Sequence, residues 1–268
     1  MNRFFTTASL IAVTALASAS AQAATVFELR ATADHAGLIR NDGDQTDQYD
    51  RADTLWGTAN AGISQRRNGL IQFASLDSAT QTGLDNGSLQ IASVKLQLWN
   101  SPNSWGETTL IFGRLEEGDA DWAALNGPDD GREGVNSWNF KDESDDTPWF
   151  AGTGGSFTGN NDFFRPLGSL TSSNSNSTLG AVMYEVTLDV SGDLDWLTNP
   201  TIDPNMLVWW DSEAGDSAPS QTRFATINAA DTNDEFAPLL IVEVVPEPSS
   251  LALMGLGTLL IARRRRAS

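Results

Sequence analysis

The chain has 268 residues, 35 of them acidic and 16 basic, with one His and no Cys. Without Cys there is no disulfide, no thiolate metal site and no thiol nucleophile, and one His leaves little room for a histidine-clustered metal or a His relay. A formal charge of −19 argues against nucleic acid and anionic lipid as partners, because both are held by Lys and Arg.

Residues 1–23 carry Arg3 near the start, an apolar stretch around Leu10 to Ala17, and small residues up to Ala21-Gln22-Ala23. This pattern predicts a secretory signal peptide cleaved before Ala24. Its apolar part is too short for a membrane-spanning helix and decays into Ser and Ala.

From residue 24 onward the dominant signal is period-2 alternation, the mark of half-buried strands. Val94, Leu96 and Leu98 alternate with Lys95, Gln97 and Trp99, while Val182, Tyr184, Val186, Leu188 and Val190 alternate with Met183, Glu185, Thr187 and Asp189. Shorter strands are predicted at 26–31, 54–57, 69–73, 109–115, 207–210, 222–225 and 239–244. Turn-rich pieces such as Asp85-Asn86-Gly87 separate them. Short helical turns are predicted at 119–125 and 193–197, and residues 169–178 (SLTSSNSNST) read as a low-complexity loop. The fold class is therefore all-β: a jelly-roll-like antiparallel β-sandwich over residues 24–244, flanked by the N-terminal signal peptide and a short C-terminal hydrophobic helix. One domain is preferred over a split near 142–178, because the strand at Val182 otherwise lacks partners.

The acidic run Asn41-Asp42-Gly43-Asp44-Gln45-Thr46-Asp47 alternates oxygen ligands around a Gly, which makes Asp42, Asp44 and Asp47 candidate Ca2+ ligands. Exposed turns use the same residues, and that reading stands beside it. Of nine Trp, Trp105, Trp138 and Trp149 lie in polar, loop-like surroundings and are candidate sugar-stacking residues, since an exposed indole offers a flat apolar face to a pyranose. The alternative for any Trp is core packing. Adjacent Trp209 and Trp210 point to opposite faces of a strand. His35 has no G-x-S-x-G elbow beside it and reads as structural. Carboxylate pairs such as Glu107 with Glu116 arise too easily in so acidic a chain to define a glycoside hydrolase. No catalytic residue is assigned.

At the other end, Val245-Pro246-Glu247-Pro248 precedes twelve apolar residues, 251–262 (LALMGLGTLLIA), and then Arg263, Arg264, Arg265 and Arg266. Twelve residues rise about 18 Å as a helix, short of a roughly 30 Å hydrocarbon core. The segment therefore predicts transient membrane insertion, with the Arg cluster held on the cytoplasmic side. The two Pro predict a stiff, exposed junction that continues neither helix nor strand. Over residues 245–268 this order resembles the PEP-CTERM sorting signal of Gram-negative bacteria. That resemblance implies export to the cell surface or extracellular matrix and processing by an exosortase, a membrane cysteine protease. Pro246, Glu247 and Pro248 would be the processing site, as residues of the substrate.

A second resemblance rests on the order of several short motifs. They are Ala31-Thr32-Ala33-Asp34, Leu55-Trp56-Gly57, the strand ending in Phe73, residues 91–99, Trp105-Gly106-Glu107, Trp138-Asn139, Thr147-Pro148-Trp149, Gly154-Gly155, the Val-Thr-Leu-Asp-Val strand at 186–190, and Ala237-Pro238-Leu239-Leu240. This order resembles the DNRLRE family of secreted β-sandwich modules, related to disaggregatase-associated and carbohydrate-binding domains. The family's usual Asp after the central Phe is Ala74 here. The resemblance implies a non-enzymatic protein that binds or organises extracellular polysaccharide. Two other readings stand beside it: a purely structural surface protein, and a carboxylate-based polysaccharide lyase or hydrolase.

Overall fold

The computed structural model describes residues 24–40, 55–59, 66–102, 108–115, 122, 140–142, 147–148, 164–172, 178–191, 194–199, 203–210, 220–225 and 234–247. Within them the chain is mostly strand: β1 (Thr25–Arg40), β2 (Leu55–Ala59), β3 (Arg66–Phe73), β4 (Leu89–Trp99), β5 (Thr108–Leu115), β6 (Phe140–Asp142), β7 (Thr147–Pro148), β8 (Phe164–Ser172), β9 (Met183–Thr187), β10 (Asn205–Trp210), β11 (Ser220–Phe224) and β12 (Leu239–Pro246). Between them the described residues include the helices α1 (Ser78–Asp85) and α2 (Asp195–Thr198) and a 3-10 turn at Asp234–Phe236. The all-β expectation holds.

Among the described residues, strands pair in the order β8-β5-β10-β3-β1-β12-β4-β9, with β2 joining β3 to β11 at the side and β6 pairing with β7. Every pairing is antiparallel. β1 is the corner of the sandwich. Its residues Thr25 to Arg30 pair with β12, whereas Ala31 to Arg40 pair with β3. At the change of partner the Ala31 N–H donates to the Pro238 carbonyl (3.0 Å), and the Ala74 N–H donates to the Arg30 carbonyl (3.0 Å). A strand that switches sheets in this way lets two layers face one another while the backbone stays hydrogen-bonded. The far ends of the path also meet, because the Asp189 N–H just beyond β9 donates to the Leu167 carbonyl of β8 (2.7 Å).

The core lies between the layers. Val94, Leu96 and Leu98 of β4 face inward while Lys95, Gln97 and Trp99 stay partly exposed, as their alternation predicts. They share one buried cluster with Ile71, Phe112 and Val208 from the opposite layer. Tyr184 and Phe224 close the gap edge-to-face, with ring centroids 5.8 Å apart.

Two elements depart from the sequence expectation. α1 was not expected, because Ser-Ala-Thr-Gln-Thr-Gly-Leu-Asp has weak helix formers and only Leu84 as a large apolar anchor. It forms because Asp77 caps it, accepting from the N–H groups of Ala79 (3.0 Å) and Thr80 (2.9 Å), and because buried Leu84 docks on the core. Its turn ends at Gly87, whose φ of +74° suits a residue without Cβ. β8 corrects the second expectation. Residues 169–172, read as loop, are strand and pair with Thr108 to Ile111 of β5. Thr171 and Thr109 share a 2.9 Å hydroxyl bond, and buried Ser172 bonds Thr222 of β11. Polar composition hid the strand because its partners, rather than its own apolar pattern, hold it.

Candidate functional site

β12 runs from a buried start to a half-buried end, and its neighbours explain the change. On one side it pairs with β1, whose last rung is Thr25 opposite Val244. On the other it pairs with β4 and continues through Val245 opposite Gln90 and Pro246 opposite Leu89. The Glu247 N–H then donates to the Ser88 carbonyl at 3.1 Å. In an antiparallel ladder alternate residues aim their amides at the same neighbour, so Pro246 turns its nitrogen away from β4. That side is the one β1 has already left. Pro246 therefore ends the strand without costing a ladder hydrogen bond.

The expected stiff, exposed junction is thus corrected for its first two residues. Pro246 and Glu247 are half-buried and paired to the sheet. A register shift between Glu243 and Val244 sets these last rungs apart from the rest of β12. Residues 244–266 match the PEP-CTERM protein-sorting motif. The PEP-CTERM motif marks an exported protein processed by exosortase and bound for the cell surface or the extracellular space. Comparison with curated proteins gives no match. The PEP-CTERM motif thus begins at the register shift, and its Pro246 and Glu247 belong to the folded sheet. Pro248, Arg263, Arg264, Arg265 and Arg266 lie outside the described residues.

The other sequence candidates divide between core and undescribed segments. Trp105, Trp138 and Trp149 lie outside the described residues, as do Asp42, Asp44 and Asp47 and the pair Glu107 and Glu116. Among the described residues no group of three Asp, Glu or His comes close enough to hold a metal ion. The backbone of His35 sits in β1 opposite Leu70.

Trp122 and Trp196 are core residues, 0% and 7% exposed. Asn205 serves both: its side-chain Oδ1 accepts from Trp122 Nε1 and its backbone carbonyl accepts from Trp196 Nε1, each at 2.8 Å. No sequence signal singles out Asn205, since an Asn beside Pro204 reads as a turn residue. Trp99 is half-buried, 6.5 Å from Phe236 between ring centroids.

The outer face of β12, β4 and β9 carries a polar network. Lys95 Nζ donates to Glu185 Oε1 at 2.7 Å, Gln97 Nε2 donates to Glu185 Oε2 at 3.0 Å, and Ser93 Oγ donates to Glu243 Oε2 at 3.0 Å. The hydrogen bond from Lys95, helped by that from Gln97, holds the Glu185 carboxyl below its ordinary value. The same bond to Glu185 raises the Lys95 ammonium. Lys95 and Glu185 are each about a third exposed, so their ion pair is solvated and weak.

Proposed function

We propose that this chain is a non-enzymatic surface or matrix protein whose β-sandwich binds or organises extracellular polysaccharide. The observation that carries the reading is the PEP-CTERM motif beginning on the last strand of an antiparallel β-body, which joins an export and sorting signal directly to a rigid scaffold. The DNRLRE resemblance supports glycan as the ligand class. Among the Trp, Trp122 and Trp196 serve the core, while Trp105, Trp138 and Trp149, which stand in polar stretches of the sequence, are the stacking candidates. A Ca2+ ion at Asp42, Asp44 and Asp47 would offset the self-repulsion of so acidic a chain.

The test is a thermal melt of residues 24–247, which keeps Pro246 and Glu247 on the sheet, with Ca2+ and then EDTA, across a panel of soluble polysaccharides. A glycan-specific rise in Tm that the triple Ala variant of Trp105, Trp138 and Trp149 abolishes supports the binding reading through linkage. A response to no glycan favours the purely structural protein. Cleavage of any glycan in the panel overturns the non-enzymatic reading.

A further inference from the structure

A protease binds its substrate in extended form and competes for the main-chain hydrogen bonds of the segment it holds. In this chain that segment is already engaged. Val245 and Pro246 pair with Gln90 and Leu89, and the Glu247 N–H is held by the Ser88 carbonyl. Ser88 is itself fixed, because its N–H donates to Asn86 Oδ1 (3.0 Å) and its Oγ donates to the Gly83 carbonyl (3.2 Å) at the end of α1. The first two residues of the sorting tripeptide are therefore strapped to the turn that follows α1.

The strap is also the weakest part of its strand. β1 stops at Thr25, so the rungs beyond Val244 are paired on one side only. Pro246 contributes no N–H, and the register shift after Glu243 interrupts the ladder just where the motif begins. Rungs before the shift are flanked by strands on both sides, and their Val242 and Leu240 are fully buried. Local opening follows such differences in pairing and burial.

We propose that the sheet gates the sorting signal: the segment from Val245 to Glu247 must peel from β4, hinged just beyond the register shift, before exosortase can process it. The proposal rests on the exosortase reading of the motif and adds the conformational step that precedes processing. When opening is fast relative to cleavage, the rate of proteolysis follows the population of the open form. A folded domain would then be processed at a rate set by this strap.

The chain has no Cys, so within one molecule two introduced thiols can pair only with each other. Gln90 and Val245 stand directly opposite on the exposed face of β4 and β12, a placement that suits a disulfide and leaves the tripeptide chemically untouched. The full chain carrying Gln90→Cys and Val245→Cys is exported in a cell that contains exosortase, and the mass of its C-terminus is followed against both single variants. Cross-linked molecules are expected to keep their C-terminus while the single variants are processed at the wild-type rate, and reduction is expected to restore processing. Cross-linked molecules trimmed at the wild-type rate would overturn the gate. Failure of the two thiols to couple in folded protein would overturn the pairing beneath it. If the wild-type chain itself stays unprocessed, the exosortase reading fails instead. Hydrogen exchange on the purified full chain is the second measurement. The Glu247 amide is expected to be protected at least about tenfold but less than the Val242 amide, as fits a strap that opens locally; an unprotected Glu247 amide contradicts the proposal.

Discussion

Asn205 shows how much a single polar residue can organise in an apolar core. It is 1% exposed, accepts from both Trp122 and Trp196, and donates its own amide to the Asp203 carbonyl. Each buried indole N–H needs an acceptor, and an orphaned one costs about 1–3 kcal/mol. Asn205→Ala strands Trp122 Nε1 but leaves the backbone bond to Trp196 intact. Urea unfolding is therefore expected to show a loss of about 1–3 kcal/mol for Asn205→Ala. Because Trp122→Phe removes the same donor, the double variant is expected to lose less than the two single losses added together, with coupling of at least about 0.5 kcal/mol. Strict additivity would show that the bond contributes nothing specific. A different residue-scale constraint acts at Gly180, where φ is +70° and a Cβ would fall 2.3 Å from Phe236 Cε1. A side chain there is disfavoured both by the backbone conformation and by the ring.

Among the elements, β4 and β9 illustrate a strand pair whose inner face contributes burial and whose outer face responds to pH. Lys95 and Gln97 both bond Glu185 across the pair and depress its carboxyl below the ordinary 4.5. A depressed carboxyl contributes stability that is present above the unfolded value and lost as pH falls through the folded one. Asp77, held below the ordinary 3.8 chiefly by the side-chain hydrogen bond from Thr80, follows the same sign at the start of α1. The raised Lys95 works oppositely: its contribution is complete below the ordinary 10.5 and fades above it. Thermal melts from pH 6 down to pH 3 are expected to show wild type losing Tm faster than Glu185→Gln, with the curves converging as pH falls below the ordinary value of 4.5. The difference should be small, because the pair is exposed and screened. Parallel curves across the whole range would show that Glu185 is not coupled to Lys95 in solution.

On the scale of the whole molecule, charge decides behaviour more than any single pair does. At a formal −19 the surface repels itself and its copies, while protonating carboxylates bring the chain toward its pI of about 4.2. Light scattering is expected to detect association or precipitation between pH 4 and 5. A chain that stays monodisperse there would contradict this. Folding also brings the two ends of the body together, since Thr25 pairs with Val244. Ala24, the residue after the expected signal-peptide cleavage, therefore immediately precedes the rung that faces the start of the sorting motif.

Two kinds of information were legible without any structure. The sorting motif is a linear pattern of tripeptide, apolar run and Arg cluster, and such a pattern needs no partner to be read. Alternation is equally local, because successive side chains of a strand face opposite ways whatever lies across from them, so β4, β5 and β12 and the all-β class could be read from spacing. Tertiary structure decided what depends on a distant partner. α1 exists through a cap and a docking contact, the Ser-rich end of β8 through its pairing with β5, and the role of Asn205 through two indoles brought to it. Pro246 reads as a strand breaker in one dimension. It ends a strand in three dimensions because β1 has stopped beside it and its nitrogen has no ladder bond to lose.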